Sequence, residues 1–126
     1  MKTYNILFED GAEPEPHEIQ TVLFLRKTGM RVKFLAPKNQ PGVKTPDIAM
    51  DGMMWEIKSP QSKGSRTIEH AVRSASKQSE NIIIDLRRLS VSTDRAMTLI
   101  KFHSLRRTNI KRLIVITKDG KKLDIK

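Results

Sequence analysis

The sequence contains no cysteine among its 126 residues. That excludes a disulfide scaffold, thiolate chemistry and any zinc or iron–sulfur site held by cysteine. Aromatic residues reach only 5%, which disfavours a surface that recognises single strands by stacking bases. No apolar run approaches the ~18–20 residues of a membrane span. The apolar start (Tyr4, Ile6, Leu7, Phe8) meets Glu9-Asp10 before reaching the ~7–15 residues of a signal-peptide core. A cytoplasmic location and no membrane partner are therefore expected. The glycines form neither a GxGxxG turn nor a P-loop, and there is no internal repeat. Acids are also scarce: 14 Asp and Glu stand against 24 Lys and Arg, a formal net charge of +10.

That excess is concentrated in one half. Residues 1–63 carry a net +1 and residues 64–126 a net +9, with close pairs at Arg87-Arg88, Arg106-Arg107 and Lys111-Arg112. A basic surface of this kind attracts phosphate backbones and speeds encounter with them. Nucleic acid is thus the expected partner, ahead of an acidic protein. The length fits one domain with a single core. Residues 1–16 are expected as a leader strand and acidic loop and 17–126 as the core, with Met1 opening the chain and no large delivery protein ahead of it.

Apolar spacing predicts a helix from His17 to Thr28 that stops at Gly29, and a strand over Val32–Ala36. Pro37 to Thr45, rich in proline and lysine, reads as a basic loop. Residues 46–59 predict a hairpin around Asp51-Gly52, one of the strongest two-residue turn signals. A helix is expected over 65–80 and a doubly apolar strand over 82–86. A helix capped near Ser92 should follow, then a strand over 113–117 and a shorter one over 121–125. The strand–helix–strand unit predicts parallel strands and the hairpin antiparallel ones. The expected class is α/β, a mixed β-sheet flanked by helices.

The hairpin carries the chemistry. A two-residue loop sets Met50 against Met53 and, by extension, Asp47 against Glu56. Lys58 shares their face by the alternation of strand side chains. Ile48, Met50, Met53, Trp55 and Ile57 form the opposite, core face, so Trp55 is expected to pack. Two facing carboxylates repel unless a cation or a shared proton lies between them. Hard oxygen donors beside an open position suit Mg²⁺, with Mn²⁺ or Zn²⁺ as alternatives. A nearby lysine can orient water or stabilise charge developing on phosphate. The pattern therefore predicts metal-assisted phosphodiester hydrolysis. His17, His70 and His103 show no ligand spacing, and Asp85 reads as structural. Lys63, Arg66, Arg73 and Lys77, on or before the helix after the hairpin, are candidate phosphate contacts; Arg66, Arg73 and Lys77 are spaced to share one face.

Pro46-Asp47 followed by Glu56-Ile57-Lys58 resembles the PD-(D/E)xK nuclease signature, and the order helix, hairpin, helix, strand resembles the core of that restriction-endonuclease-like superfamily. The resemblance implies that Glu18 completes a metal site with Asp47 and Glu56, that Lys58 assists the attack, and that Gln78 supports the site. His17-Glu18, Thr45-Pro46-Asp47, Trp55-Glu56-Ile57-Lys58 and Gln78 before the Ile-Ile-Asp-Leu strand are similar, over about residues 16–117, to the C-terminal tRNase toxin domain of contact-dependent growth inhibition CdiA proteins. That likeness implies a tRNA substrate and an acidic immunity-type inhibitor. The competing expectation is a non-catalytic or DNA-directed nucleic-acid-binding module of a phage or mobile element.

Overall fold

The computed structural model describes residues 6–38, 44–62, 64 and 66–126. Along the chain run β1 (Ile6–Phe8), α1 (Pro16–Lys27), β2 (Val32–Phe34), β3 (Ile48–Met50), β4 (Met53–Lys58), α2 (Thr67–Gln78), β5 (Asn81–Asp85), α3 (Thr93–Leu105), β6 (Arg112–Ile116) and β7 (Lys122–Asp124). The strands lie in a mixed seven-stranded sheet in sequence order, β1 to β7, which is the α/β class expected. The chain divides into two compact units, residues 1–55 and 56–126, so that β4 contributes to both.

In the first unit, β1 pairs parallel with β2, and β2, β3 and β4 continue antiparallel. Pro16 opens α1 with its φ already set for a helix. Thr28 and Gly29 close it: the Thr28 hydroxyl donates to the Leu25 carbonyl at 2.6 Å, and Gly29 takes the left-handed φ of 94° that favours glycine. Val22 and Leu25 of α1 are buried, as are Val32, Phe34, Ile48, Met50 and Trp55 of the strands. Trp55 packs as expected, its indole N–H donating to the Met50 carbonyl at 2.9 Å. The hairpin turns at Asp51 (φ 55°) and Gly52 (φ 73°), the pair of left-handed residues that a type I′ turn requires. Its register is Met50↔Met53, Ala49↔Met54, Ile48↔Trp55. On the other face, Leu7, Lys33, Ala49 and Met54 form one cross-strand row, where Leu7 and Met54 are exposed.

The second unit is built on parallel pairing. Glu56–Lys58 pair with Ile82–Ile84, Asn81–Asp85 pair with Arg112–Ile116, and β7 returns antiparallel to β6. Ile68, Val72 and Ala75, spaced to face one side of α2, share a core with Ile82 and Ile84, Ala96 and Ile100 of α3, and Leu113 and Val115. Ser92 caps α3, its side chain accepting from the Arg95 amide at 3.3 Å. Beyond the helix's other end, Lys126 Nζ donates to the carbonyls of Ser104 (2.9 Å), Arg107 (3.3 Å) and Ile110 (3.2 Å), placing a positive charge where the helix dipole is negative.

At the end of β5, Asp85 is buried and takes the Arg87 guanidinium as a fork, Nε to Oδ1 at 3.0 Å and Nη2 to Oδ2 at 2.8 Å. Arg88 Nη2 donates to the Ser59 carbonyl at 2.7 Å. Asp85 is thus a structural clip rather than a catalytic acid.

Candidate active site

The first unit holds two of the expected acids, Glu18 and Asp47. Glu18 sits in the first turn of α1, where its Oε1 accepts the Glu15 amide at 3.0 Å; an acid here suits both the cap and the dipole. Asp47 is fixed by its backbone: its N–H donates to the Trp55 carbonyl at 3.0 Å and its carbonyl accepts from Leu35 at 3.0 Å. The donation to Trp55 is one residue out of step with the Ile48↔Trp55 pair, the offset a β-bulge produces. The ladder register expected at Asp47 is therefore not kept. The Asp47 carboxyl is close enough to act on that of Glu18. Burial, and after it the Asp47 and Glu15 charges, push the Glu18 carboxyl up to about 7, against the Glu15 amide that favours its ionised form.

The raised Glu18 carboxyl has a consequence for stability. Glu18 holds its proton in the fold up to about 7 and releases it near 4.5 when unfolded. Its favourable contribution is fully present below pH 4.5 and is lost as pH rises through 7. Partial exposure limits this contribution to about 1–2 kcal/mol. In EDTA, Glu18→Gln should therefore gain on wild type by that amount between pH 5 and pH 8, read from urea melts. A stability gap independent of pH would contradict the raised Glu18 carboxyl.

The second unit holds Glu56, Lys58 and Gln78. Glu56 and Lys58 lie two apart on β4, level with Ile82 and Ile84 of β5, so both face the same side. Glu56 is 3% exposed, and Lys58 Nζ lies 3.4 Å from its Oε2. With its amide turned so that Nε2 faces the carboxylate, Gln78 donates to both Glu56 oxygens, at 3.0 and 2.6 Å. A buried carboxylate is tolerable when it is paired and hydrogen-bonded in this way. Gln78 reaches it from the last turn of α2, three residues after the buried Ala75.

Residues 44–122 match the contact-dependent growth inhibition CdiA C-terminal domain. The chain belongs to this family. The matched span carries Asp47, Glu56, Lys58 and Gln78, while Glu18 lies ahead of it. Among solved structures, the chain is similar to one from the "CdiA-CT/CdiI toxin and immunity complex from Burkholderia pseudomallei", with 22% identity, a TM-score of 0.66, and coverage of 97% of this chain and 99% of that one. At that identity the likeness establishes the fold. No curated protein matches the chain.

The donor chemistry fits a hard cation: every acidic group concerned offers carboxylate oxygens, and Mg²⁺ needs only one or two of them beside water and phosphate. Among the described residues no group of three or more His, Cys, Asp or Glu is gathered as a ready-made cage, and no helix is long and apolar enough to cross a membrane.

The candidate phosphate contacts are sorted by the helix boundary. Arg66 is the N-cap of α2 rather than part of it, and its guanidinium pairs with Glu69 at 3.4 Å. Arg73 and Lys77, one turn apart on α2, are both exposed. Lys63 lies outside the described residues. Sequence spacing did not disclose the near-complete burial of Glu56 or the Glu18–Asp47 contact. The doubly apolar β5 beside Glu56 was the available signal for the first; nothing in the spacing signalled the second.

Proposed function

We propose that this CdiA C-terminal domain is a toxin acting as a metal-dependent endonuclease on RNA, with tRNA as its substrate. The observation that carries the reading is the buried Glu56 carboxylate, held by Lys58 and Gln78 on the strand that bears the Glu-x-Lys motif. Asp85 is buried and paired as well, so what supports the reading is Lys58, a partly exposed ammonium on the same strand face as the Glu56 carboxylate.

Glu18, Asp47 and Glu56 would hold Mg²⁺, with Mn²⁺ or Zn²⁺ as substitutes. When bound, such an ion makes water a better nucleophile and offsets charge on the phosphate. Gln78 fixes the Glu56 carboxylate through two hydrogen bonds, keeping its orientation while substrate arrives. Lys58, only partly covered, can turn its remaining ammonium protons toward the attacking water or a phosphoryl oxygen. Release of the proton from Glu18 leaves that pair of carboxylates ready for a cation. The solved relative is a toxin paired with an immunity protein. By analogy, an acidic inhibitor is the expected partner of this basic chain.

The test is cleavage of bulk tRNA and of plasmid DNA, each with Mg²⁺ or with EDTA. Discrete tRNA fragments in Mg²⁺, none in EDTA and intact plasmid are expected. Retained tRNA binding without cuts under any metal would move the chain to the class of binding modules.

A further inference from the structure

The net +9 of the second half has a structural focus at the end of α2. Two segments separated by more than twenty residues are fastened together there. Asn109 Nδ2 donates to the Ser76 carbonyl at 2.9 Å, and the amides of Lys111 and Arg112 both donate to the Glu80 carbonyl, at 2.7 and 3.2 Å. The turn that leaves α3 is thereby fixed against the last turn of α2. Residues 73–80 and 106–112 together carry six cations against one acid, Glu80. Arg73, Lys77 and Lys111 are exposed. Among the described residues the ion pairs of lysine and arginine fall on Lys58, Arg66, Arg87, Lys121 and Lys122, none of which belongs to these segments. Like charges held side by side repel one another and destabilise the compact state, unless an anion of matching extent lies over them.

This surface adjoins the chemistry of its own unit. Gln78, which holds Glu56, is the neighbour of Lys77 in the chain, and Glu56, Ile82 and Leu113 form one row across three strands. Lys111 precedes that row by two residues, and two strand spacings amount to about 10 Å. A polyanion gripped by Lys77 and Lys111 therefore runs close to the carboxylate end of β4.

We infer that Arg73, Lys77 and Lys111, with Asn109 as the strut that sets their spacing, form the phosphate-backbone grip for the RNA substrate, and that Arg66 is not part of it. This rests on the nuclease reading for the identity of the substrate, but not for the binding itself. Backbone contacts release counterions, so the slope of log K against log salt falls by about 0.7–0.9 for each contact removed.

The experiment measures binding of fluorescent bulk tRNA to the full chain in EDTA, across a salt series, so that cleavage plays no part. Arg73→Gln/Lys77→Gln/Lys111→Gln should reduce the slope by about 2–3 and weaken binding at least tenfold at low salt. Two controls remove charge elsewhere: Arg66→Gln, and Lys121→Gln/Lys122→Gln on and beside β7. Both should keep the wild-type slope. Asn109→Ala keeps all three charges and should weaken binding severalfold through lost spacing. An unchanged slope in the triple variant overturns the grip, as does an equal fall in the controls, which would mean diffuse charge alone. A wild type that binds duplex DNA more tightly than tRNA at every salt concentration would overturn the RNA assignment. Failure of the nuclease reading shows differently, as a normal slope loss with no cleavage in Mg²⁺.

Discussion

Replacing Glu56 by glutamine is expected to lower metal-dependent cleavage by about a thousandfold while leaving the fold intact. The substitution keeps the shape of a side chain that is 3% exposed and removes its charge. Of the two oxygens that accept from Gln78, one becomes an NH2 donor, and Lys58 loses its anionic partner. The Gln78 amide can turn to match its new partner, and Lys58 is open enough to find water. The charge left behind is that of Lys58, whose side chain is 25% exposed and can be solvated, so no uncompensated buried charge remains and a change within about 1–2 kcal/mol is expected. The signature is therefore a split: single-turnover cleavage collapses, while the melting midpoint stays near wild type. Cleavage within tenfold of wild type would make Glu56 scaffold and remove the observation on which the proposed function stands.

Arg87→Ala should be the most damaging single change to stability among the charged residues, at about 3 kcal/mol, with Asp85→Ala costing less. The reason is the unequal burial of the partners: side-chain exposure is 3% for Asp85 and 30% for Arg87. Without its guanidinium, Asp85 remains a buried carboxylate that keeps the residue-87 amide but has lost both bonds of the fork, and breaking a buried pair from that side is the expensive direction. Without Asp85, Arg87 can turn its fork into water. Urea melts of the two variants decide the order. A larger loss for Asp85→Ala would show that the carboxylate's other contacts outweigh the fork. Because this clip serves stability, folded Arg87→Ala at low temperature should cleave as wild type does.

Much of the fold is legible in the sequence, for identifiable reasons. Asp51-Gly52 announced its turn because few dipeptides accept two left-handed residues, and the register of Met50, Ala49 and Ile48 followed from a two-residue loop. Ile82 to Leu86 and Leu113 to Thr117 declared parallel strands by being apolar on both faces. The α3 cap at Ser92 was visible as hydroxyl and acid ahead of an apolar run. The candidate site was legible as residue types, less so as environments. Spacing put Glu56 and Lys58 on one face but did not show that the carboxylate would be nearly sealed by its surroundings. The pairing of Glu18 with Asp47 joins residues 29 apart through a bulge, and a bulge has no period to detect. Arg66 looked like a helix residue because seven separates it from Arg73, yet the helix starts one residue later and Glu69 claims its guanidinium. Lys111 was legible only as half of a basic pair, and Asn109 not at all, since their placement depends on docking against a helix thirty residues earlier.

The division of β4 offers a use of its own. The amides of Met53 to Trp55 belong to a strand segment laddered with β3 in the first unit, and those of Glu56 to Lys58 to a segment laddered with β5 in the second. Deuterium uptake along these six consecutive residues can therefore report two opening equilibria from one short peptide. Equal protection on both sides of the Trp55–Glu56 bond would mean one cooperative unfolding event, and a step at that bond would mean two.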